Sequence, residues 1–549
     1  MSLTKKKYPF LIGLALSISL ISATFVATND RLFDIAKNLD IYASVFKELN
    51  KYYVDEVDPN KAMQTSVDAL LKSFDPYTVF YPEDELDDFL LMTTGKYQGI
   101  GIQLSEIDQH HHITFIESDS PAEKSGLRIG DQVVAVNGTR VSDNPANDPA
   151  QLMKGAANAP LVLEIQRPGS TSTLQISLTR ATVQIKNVTY AGMVQPGIGY
   201  IQLDEFNASA AKEMKAALIS LKQQGMRSLI LDLRNNPGGL LTQAIDICNL
   251  FLPKGSKIVE TRGKIEDWNK SYEGLNASFD TETPIAVLIN KYSASAAEIV
   301  AGVLQDYDRA VIIGQKSYGK GLVQVTRDLP FHTKIKITTA KYYTPSGRCI
   351  QAVQYKNGSA IVHADSTNRT FLTKNGRKVV DGGGITPDQI LPKTPNGPFV
   401  NSLLKQYKLY LFALNYRIKN PVIKSAAEFQ LSESDLADFE TWLAETNFQF
   451  ESPIQSQVKA LVVATEKDPA YAALHQTLMA IKSDEKQALR QEIQANKAEL
   501  LQQLNQEIVL HYYLQKGVNQ WANVHDSAIQ AGIHLLQKPT TYQSILTLK

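Results

Sequence analysis

The sequence predicts a multidomain α/β protein in which a core of alternating strands and helices is flanked by regions of other types. Between residues 183 and 345, apolar strands such as IGYIQLDEF and PIAVLIN alternate with amphipathic helices, a pattern typical of right-handed βαβ units. Residues 95–182 instead contain short strands, within YQGIGIQLS, HITFIE, QVVAVNG and LVLEIQR. Residues 31–94 and 396–549 carry apolar residues at helical spacing, which predicts a helical domain at each end.

The composition limits the classes of function that the chain can serve. Its 549 residues suffice for three or four domains, and 56 basic residues are balanced by 56 acidic ones. The sequence has no stripe of basic residues, so it gives no indication of nucleic-acid binding. The sequence has no HExxH, Walker or Rossmann motif, so we expect neither a metal nor another cofactor. The two cysteines, Cys248 and Cys349, form no zinc pattern and are assigned no chemistry.

The first 30 residues differ from the rest of the chain. Three lysines at positions 5–7 precede an apolar stretch from Tyr8 to Ala27, the pattern of a membrane-directed segment. Its length of roughly 18 to 20 apolar or small residues is just enough to span a bilayer. Cleavage after Ala27 would put Phe25 where a small residue is preferred. We therefore expect an uncleaved anchor with the body exported, and a cleaved signal peptide is the alternative.

The stretch from Lys291 to Thr326 contains two residues that can perform covalent chemistry together. Ser295 lies where a small-residue turn becomes a helix, and Lys320 lies between two glycines in a later turn. A serine hydroxyl needs a base to become a good nucleophile, and a lysine becomes a base when burial destabilises its charge. The helix start beside Ser295 also favours a developing oxyanion. Serine–lysine pairs are a known variant of the serine–histidine–aspartate arrangement.

Both residues also fit ordinary structural roles. Ser295 and Glu298 form the Ser-x-x-Glu pattern of a helix capping box, and a glycine-flanked lysine in a turn is usually a solvated surface residue. A nucleophile can itself cap a helix, so the two interpretations are compatible. A serine–histidine–aspartate site is the other nucleophilic design, but His332 and His363 near the core have no convincing partner.

Two motifs in this stretch resemble those of the C-terminal processing peptidases, also called tail-specific proteases. SASAAE around Ser295 is similar to the family's nucleophile turn, and YGKGLVQ around Lys320 is similar to its lysine turn. The resemblance extends over roughly residues 40–395 and implies a crotonase-like catalytic core. It also implies that Ser295 is the nucleophile, Lys320 the general base and Gln324 the residue that orients the lysine.

The DLRNNPGG stretch, between a strand and a helix, resembles a second signature of the family. The resemblance implies that Gly238 or Gly239 supplies one N–H group of an oxyanion hole and that Ala296 supplies the other. Two donors must approach one oxygen, and glycine permits a close backbone approach. A tight turn without a chemical role is the alternative, and the sequence does not say which glycine donates. Ala297 and Tyr318 depart from the family's pattern, but neither removes a catalytic residue.

The order of elements in the short-stranded region resembles an inserted PDZ domain. In that resemblance Gly99, Ile100, Gly101 and Ile102 form the loop and strand that receive a peptide's C-terminus, and a hairpin that binds nothing is the alternative. The preceding segment, DPYTVFYPEDE, also resembles the family and is expected to tie the N-terminal helices to the PDZ domain. Three consecutive histidines, 110–112, are expected to form a solvated turn.

Together these features predict an exported serine endopeptidase whose PDZ domain engages apolar C-terminal tails of protein substrates. It would lie on the periplasmic side of the bacterial inner membrane, or in the periplasm if the signal is cleaved. The C-terminal helices are expected to pack on the protease, and a homo-oligomer is a further option. The alternatives are a catalytically silent PDZ scaffold tethering exported proteins at the membrane, and a crotonase-type acyl-CoA enzyme. The expected domains are an anchor or signal peptide (1–30), an N-terminal helical domain (31–94), a PDZ domain (95–182), a serine protease core (183–395) and a C-terminal helical domain (396–549).

Overall fold

The computed structural model describes residues 31–141, 148–362, 369–392, 397–466, 468–480 and 485–547. The predicted anchor or signal peptide, residues 1–30, and His363 lie outside these ranges. Within them, no helix combines the length and the apolar character that crossing a bilayer requires.

The N-terminal region is helical as far as residue 72 and then differs from the prediction. Helix α1 covers residues 31–52, and α2 covers Pro59–Lys72, where the Asp58 side chain caps the first turn. The DPYTVFYPEDE segment was expected to tie these helices to the PDZ domain. Instead its strand β1 (Val79–Tyr81) pairs with a strand of the predicted core, β18 (Lys334–Tyr343), and helix α3 (Leu86–Thr94) then leads into the next region.

The short-stranded region forms an antiparallel sheet, as the alternating patterns predict. The sheet order is β3-β4-β5-β7-β8, with β6 beside β5, while β2 pairs with β9. Its core is made by inward-facing residues such as Ile113, Val133 and Leu163, which are fully buried. The elements are β2 (Lys96–Gly99), β3 (Ile102–Ile107), β4 (His110–Ile116), α4 (Pro121–Lys124), β5 (Gln132–Val136), β6 (Thr139–Arg140), α5 (Pro149–Met153), β7 (Pro160–Gln166), β8 (Thr173–Thr179) and β9 (Ala181–Gln184).

The three histidines do not form a turn, and that prediction was wrong. They are the first residues of β4, and the turn before them is made by Asp108 and Gln109, both with positive φ. Side chains alternate across a strand, so neighbouring histidines point to opposite faces. The His112 ring packs against Tyr410 of the C-terminal region, with 6.2 Å between ring centroids.

The region predicted to be the protease core, residues 183–395, contains a six-stranded sheet of order β10-β11-β12-β15-β16-β23, parallel from β11 onwards. All residues of β12, β15 and β16 are buried, because helices cover both faces. This confirms the predicted alternation of strands and helices, and the description as crotonase-like remains a prediction. The elements are β10 (Val188–Gln195), β11 (Ile198–Leu203), α6 (Ala210–Gln223), β12 (Ser228–Asp232), α7 (Leu241–Phe251), β15 (Ile285–Ile289), α8 (Ala296–Asp306), β16 (Ala310–Gly314) and β23 (Gln389–Ile390), with β13 (Lys257–Gly263) and β14 (Lys270–Glu273) between α7 and β15.

The core has a second sheet, whose strands alternate along the chain with those of the first. Its order is β1-β18-β13-β14, and β17 also pairs with β18. The turn with Lys320 connects β16 of the first sheet to β17 of the second. The remaining strands are β17 (Leu322–Asp328), β18 (Lys334–Tyr343) and two hairpins, β19 (Val353–Lys356) with β20 (Ser359–Val362) and β21 (Thr370–Leu372) with β22 (Lys378–Val380).

The C-terminal region is helical, as predicted, and packs on both preceding regions. Tyr410 and Leu414 enter the core of the short-stranded region, and Ile529 and Ile533 pack on the parallel sheet. Residues 485–513 belong to two helices, and the second is interrupted at Leu514, where φ is 54°. The helices are α9 (Pro398–Lys405), α10 (Lys408–Lys419), α11 (Glu433–Glu445), α12 (Pro453–Glu466), α13 (Ala472–Ala480), α14 (Glu485–Ala495), α15 (Lys497–His525), α16 (Ser527–Leu536) and α17 (Pro539–Thr547).

Candidate active site

The candidate nucleophile, Ser295, lies immediately before helix α8, in a turn that follows the buried strand β15. Its backbone has φ 53° and ψ −112°, a combination that side-chain-bearing residues rarely adopt. The turn is held from both sides, since Ser293 Oγ donates to Leu233 O at 2.7 Å and Ala294 N donates to Asn236 O at 2.9 Å. Such strain persists only when the surroundings enforce it, and it is typical of functional positions.

Glu298, one turn into α8, connects the Ser295 turn to the Lys320 turn. Its carboxylate is fully buried and accepts four hydrogen bonds. Oε2 accepts from the backbone N–H groups of Ser295 (2.8 Å) and Lys320 (2.9 Å), while Oε1 accepts from Gly319 N (2.6 Å) and Ser317 Oγ (2.5 Å). Burial raises the pKa of Glu298, and these four donors act in the opposite direction. One oxygen thus holds the backbones of both predicted catalytic residues together.

The Lys320 side chain is half-buried, and its ammonium lies over the ring of Tyr77, 4.3 Å from the centroid. Burial and the nearby charge of Lys336 lower the pKa of Lys320 to about 8, although Asp75 and Glu298 partly oppose them. A lysine with this pKa is a better base near neutral pH than an exposed one. Among the described contacts, no hydrogen bond joins Lys320 Nζ to the Ser295 hydroxyl, although both backbones bind Glu298.

Gln324 lies on β17, four residues after Lys320. Its side-chain amide donates to Thr338 Oγ1 at 3.2 Å, and the hydrogen bonds described for it do not include Lys320. Thr338 is also contacted by Thr78, which follows Tyr77 in the chain. The structure therefore places Gln324 beside the segment that contacts the lysine, and the orienting role remains a prediction.

The two glycines of the NPGG turn differ in their backbone contacts. Gly238 has φ 97° and lies so close to the nucleophile turn that a Cβ there would be 2.7 Å from Ala294 O and 2.8 Å from Ser295 Cβ. Its own N–H donates to Asn236 Oδ1 at 2.8 Å. In the described hydrogen bonds, the N–H groups of Gly239 and Ala296 have no acceptor. This difference favours Gly239 over Gly238 as the donor that complements Ala296.

The same turn is anchored to the C-terminal helices through Arg234. Its guanidinium contacts Asp232 at the end of β12, at 2.6 Å, and Asp526, at 2.9 Å. Asp526 also caps α16 by accepting from Ala528 N and Ile529 N. The carboxylates surround Arg234 on two sides, so the position of the NPGG turn depends on a residue almost 300 positions later in the chain.

The predicted peptide-binding residues lie at the edge of the short-stranded region. Gly99 ends β2, and Ile102 begins β3, which has a strand partner on one side only among the described pairings. Ile100 is buried and its carbonyl accepts from Ala122 N. A Cβ on Gly101, where φ is 84°, would lie 2.3 Å from Ser120 Cβ. A free edge strand beside a glycine turn is the geometry that peptide addition to a sheet requires.

The histidine alternative finds no support in the described part of the chain. His332 is exposed in the hairpin turn between β17 and β18. The described residues also contain no group of three or more His, Cys, Asp or Glu side chains placed to hold a metal ion.

The sequence analysis did not predict the contacts that Glu298 and Tyr77 make with the two turns. The capping pattern pointed to a bond between Glu298 and the start of its own helix. No feature of the sequence indicated its bonds to the turn about 20 residues later.

Comparisons with known proteins match three separate regions of the chain. Residues 197–361 match peptidase family S41, residues 112–167 match the PDZ domain, and residues 399–536 match the C-terminal helical domain of probable PDZ-proteases. A carboxy-terminal-processing protease of Bartonella bacilliformis is 35% identical over 348 residues, 63% of this chain and 80% of the relative. The chain belongs to the carboxy-terminal-processing proteases.

Two further similarities concern this serine-type protease. A probable CtpA-like serine protease of Staphylococcus haemolyticus is 33% identical over 410 residues, which cover 72% of this chain and 78% of the relative. A solved structure, the photosystem II D1 C-terminal processing protease, is 27% identical with a TM-score of 0.34, and the match covers 64% of this chain and 92% of that one. The processing protease thus combines a peptidase region, a PDZ domain and a C-terminal helical domain in one chain.

Proposed function

We propose that this processing protease is an exported serine endopeptidase in which Ser295 attacks the peptide bond and Lys320 is the general base. The observation that carries the proposal is the shared hydrogen bonding of both backbone N–H groups to Glu298 Oε2. It fixes the backbones of the two turns against each other, and rotation of the side chains is proposed to bring the lysine amine to the serine hydroxyl. Positioning of this kind converts an encounter into an intramolecular step.

The chemistry follows from the protonation state of the lysine. Neutral Lys320 takes the proton of the Ser295 hydroxyl as its oxygen bonds to the scissile carbonyl carbon. The N–H groups of Gly239 and Ala296 receive the oxyanion, and the lysine then gives its proton to the leaving amine. A water molecule, deprotonated by Lys320, then bonds to the acyl carbon, the bond from that carbon to Ser295 Oγ breaks, and Lys320 returns the proton to Oγ. No cofactor takes part in these steps.

The PDZ domain is proposed to select the substrate. The free edge of β3 offers backbone groups to an extended peptide, and the turn from Gly99 to Gly101 offers N–H groups to a terminal carboxylate. Ile102, which is only partly buried, supplies apolar surface beside it, which favours tails ending in apolar residues. The proposal of export is based on the lysines at 5–7 and the apolar stretch that follows them. This pattern favours attachment to the periplasmic side of the bacterial inner membrane.

Cleavage of an unfolded protein tests the proposal. The full chain is expected to degrade a substrate with an apolar C-terminal tail faster than the same substrate ending in acidic residues. Ser295→Ala and Lys320→Ala should each abolish cleavage while thermal melting remains cooperative. Because the base must be neutral, kcat/KM is expected to rise with pH through about 8. Cleavage retained by either variant would rule out the pair, and tail binding without cleavage by the unaltered chain would favour a scaffold.

A further inference from the structure

The lysine side chain has a partner that the chemistry above does not use. Its ammonium lies 4.3 Å from the centre of the Tyr77 ring. An aromatic face attracts a cation and has no comparable attraction for a neutral amine. The contact therefore stabilises the protonated form of Lys320, which is the form that cannot act as a base.

Tyr77 is itself held firmly in this position. Asp75 Oδ1 accepts from the N–H groups of Tyr77 and Thr78, both at 2.8 Å, which fixes the turn. The Tyr77 hydroxyl lies 3.3 Å from that of Tyr318 and 3.4 Å from that of Tyr355. Strand β1 continues directly from this turn and pairs with β18. The ring is thus a fixed platform that the N-terminal segment contributes to the catalytic site.

We propose that Tyr77 is a positioning residue that holds the protonated Lys320 side chain away from Ser295 in the resting enzyme. This inference rests on the proposed role of Lys320 as the base. The lysine becomes competent when its amine loses a proton to solvent and leaves the ring. The N-terminal segment would then control the reactivity of a base that lies more than 200 residues later in the chain.

The charged groups around Lys320 come from three parts of the fold. Asp75 and Tyr77 belong to the N-terminal turn, Lys336 to β18, and Glu298 to α8. Burial raises the pKa of the Tyr77 phenol, so the ring stays neutral across the working range of pH. Lys336 opposes the charge on Lys320, whereas Asp75 and Glu298 favour it. Replacing Tyr77 alone leaves these three charges in place.

The test measures the protonation of Lys320 directly, in the full chain with Ser295→Ala to prevent self-digestion. Trace acetylation with acetic anhydride from pH 6 to 10.5, quantified by mass spectrometry against the exposed Lys264, gives the midpoint at which the amine becomes reactive. Tyr77→Leu keeps an apolar neighbour and removes the ring, so the midpoint should fall by about 0.5–1 pH unit. Tyr77→Phe keeps the ring and should leave the midpoint unchanged. Tyr77→Met is a second ring-free variant should the leucine variant fold poorly.

Tyr355→Leu is the matched control. The Tyr355 ring lies edge-on to Tyr77 at 6.0 Å, so this variant disturbs the packing of Tyr77 without removing its face from the lysine. An unchanged midpoint in Tyr77→Leu and Tyr77→Met overturns the proposal. A shift of equal size in Tyr355→Leu also overturns it, since loss of packing would then explain the result.

Activity supplies a second readout with Ser295 restored. If the ring holds the lysine in its resting form, Tyr77→Leu should raise kcat/KM below pH 8 by about 3–10-fold, the change in neutral fraction that such a midpoint shift produces. Lower activity in Tyr77→Leu would count against a resting-state role. Failure of the proposed function is seen separately, because Lys320→Ala would then still cleave, whereas failure of this inference leaves Lys320→Ala inactive.

Discussion

Replacing Lys320 by methionine should stabilise the protein while removing its activity. The charged amine is held in a half-buried site with a pKa of about 8, compared with the ordinary value of 10.5. Each unit by which the fold lowers the pKa of a lysine corresponds to about 1.4 kcal/mol against its charged form. The charge on Lys320 therefore destabilises the fold by about 3 kcal/mol at pH 7. The Tyr77 ring offsets about 0.5–2 kcal/mol of this. Methionine has a similar length without the charge, and we expect a net gain of about 1–3 kcal/mol.

The dependence on pH identifies the cause. The folded-state pKa lies below that of the unfolded chain, so between pH 8 and 10.5 the unfolded state binds more protons and the stability of the unaltered protein rises with pH. The advantage of methionine should therefore be complete below about pH 8 and nearly absent above about pH 10.5.

Calorimetry of two Ser295→Ala proteins, with and without Lys320→Met, measures this difference at pH 7, 9 and 10.5. At pH 7 the melting temperature of the catalytic region should rise by several degrees. Lys291→Met is the control, because Lys291 is exposed and its replacement should change little. An equal or lower melting temperature for Lys320→Met at pH 7, or an advantage that does not shrink at high pH, would refute the electrostatic explanation.

Three further substitutions test the supports of the site. Glu298→Gln replaces one accepting oxygen by an NH₂ group, so two of the four groups that donate to Glu298 would face another donor. We expect kcat to fall at least about 100-fold and the melting temperature to fall as well. Asp526→Asn keeps a capping residue for α16 but removes the charge next to Arg234, so kcat should fall several-fold while KM changes little. Gly238→Ala places a Cβ against the nucleophile turn and should abolish turnover. Gly225→Ala has a similar φ with open space around it, and its full activity would show that the clash, and not backbone strain alone, is the cause.

The features that the sequence predicted best are those set by local pattern. Strands β12 and β15 were recognisable as continuous apolar runs, and the structure buries all of their residues. The Ser295 turn and the Lys320 turn were identified by motif, and the structure shows that they follow the adjacent parallel strands β15 and β16. Strands β3, β4, β5 and β7 were likewise found from alternation, although β4 begins at His110, two residues before the predicted strand HITFIE, and β8 and β9 were not predicted.

What sequence reasoning missed depends on contacts between distant residues. A Ser-x-x-Glu pattern looks the same whether the glutamate only caps its helix or also binds three donors from a later turn, as Glu298 does. Tyr77 lies in a stretch with no strand pattern of its own. Only the pairing of the following strand, β1, with β18 brings Tyr77 to Lys320. The histidines were misplaced because a polar run resembles a turn, whereas the packing of His112 against Tyr410 lies outside any local window.

The hydrogen bonds between Tyr542 and strand β15 have a consequence for biosynthesis. The phenol both donates to the carbonyl of Ile285 and accepts from its N–H, so residues from α17 complete the hydrogen bonding at the start of the strand that leads to the nucleophile. A growing polypeptide that has not yet reached this tyrosine lacks that seal, together with the Asp526 contact to Arg234. Contacts of such long sequence separation form late in folding. The support for the strand that leads to Ser295 would therefore be complete only after the last helices have been synthesised and have docked on the sheet.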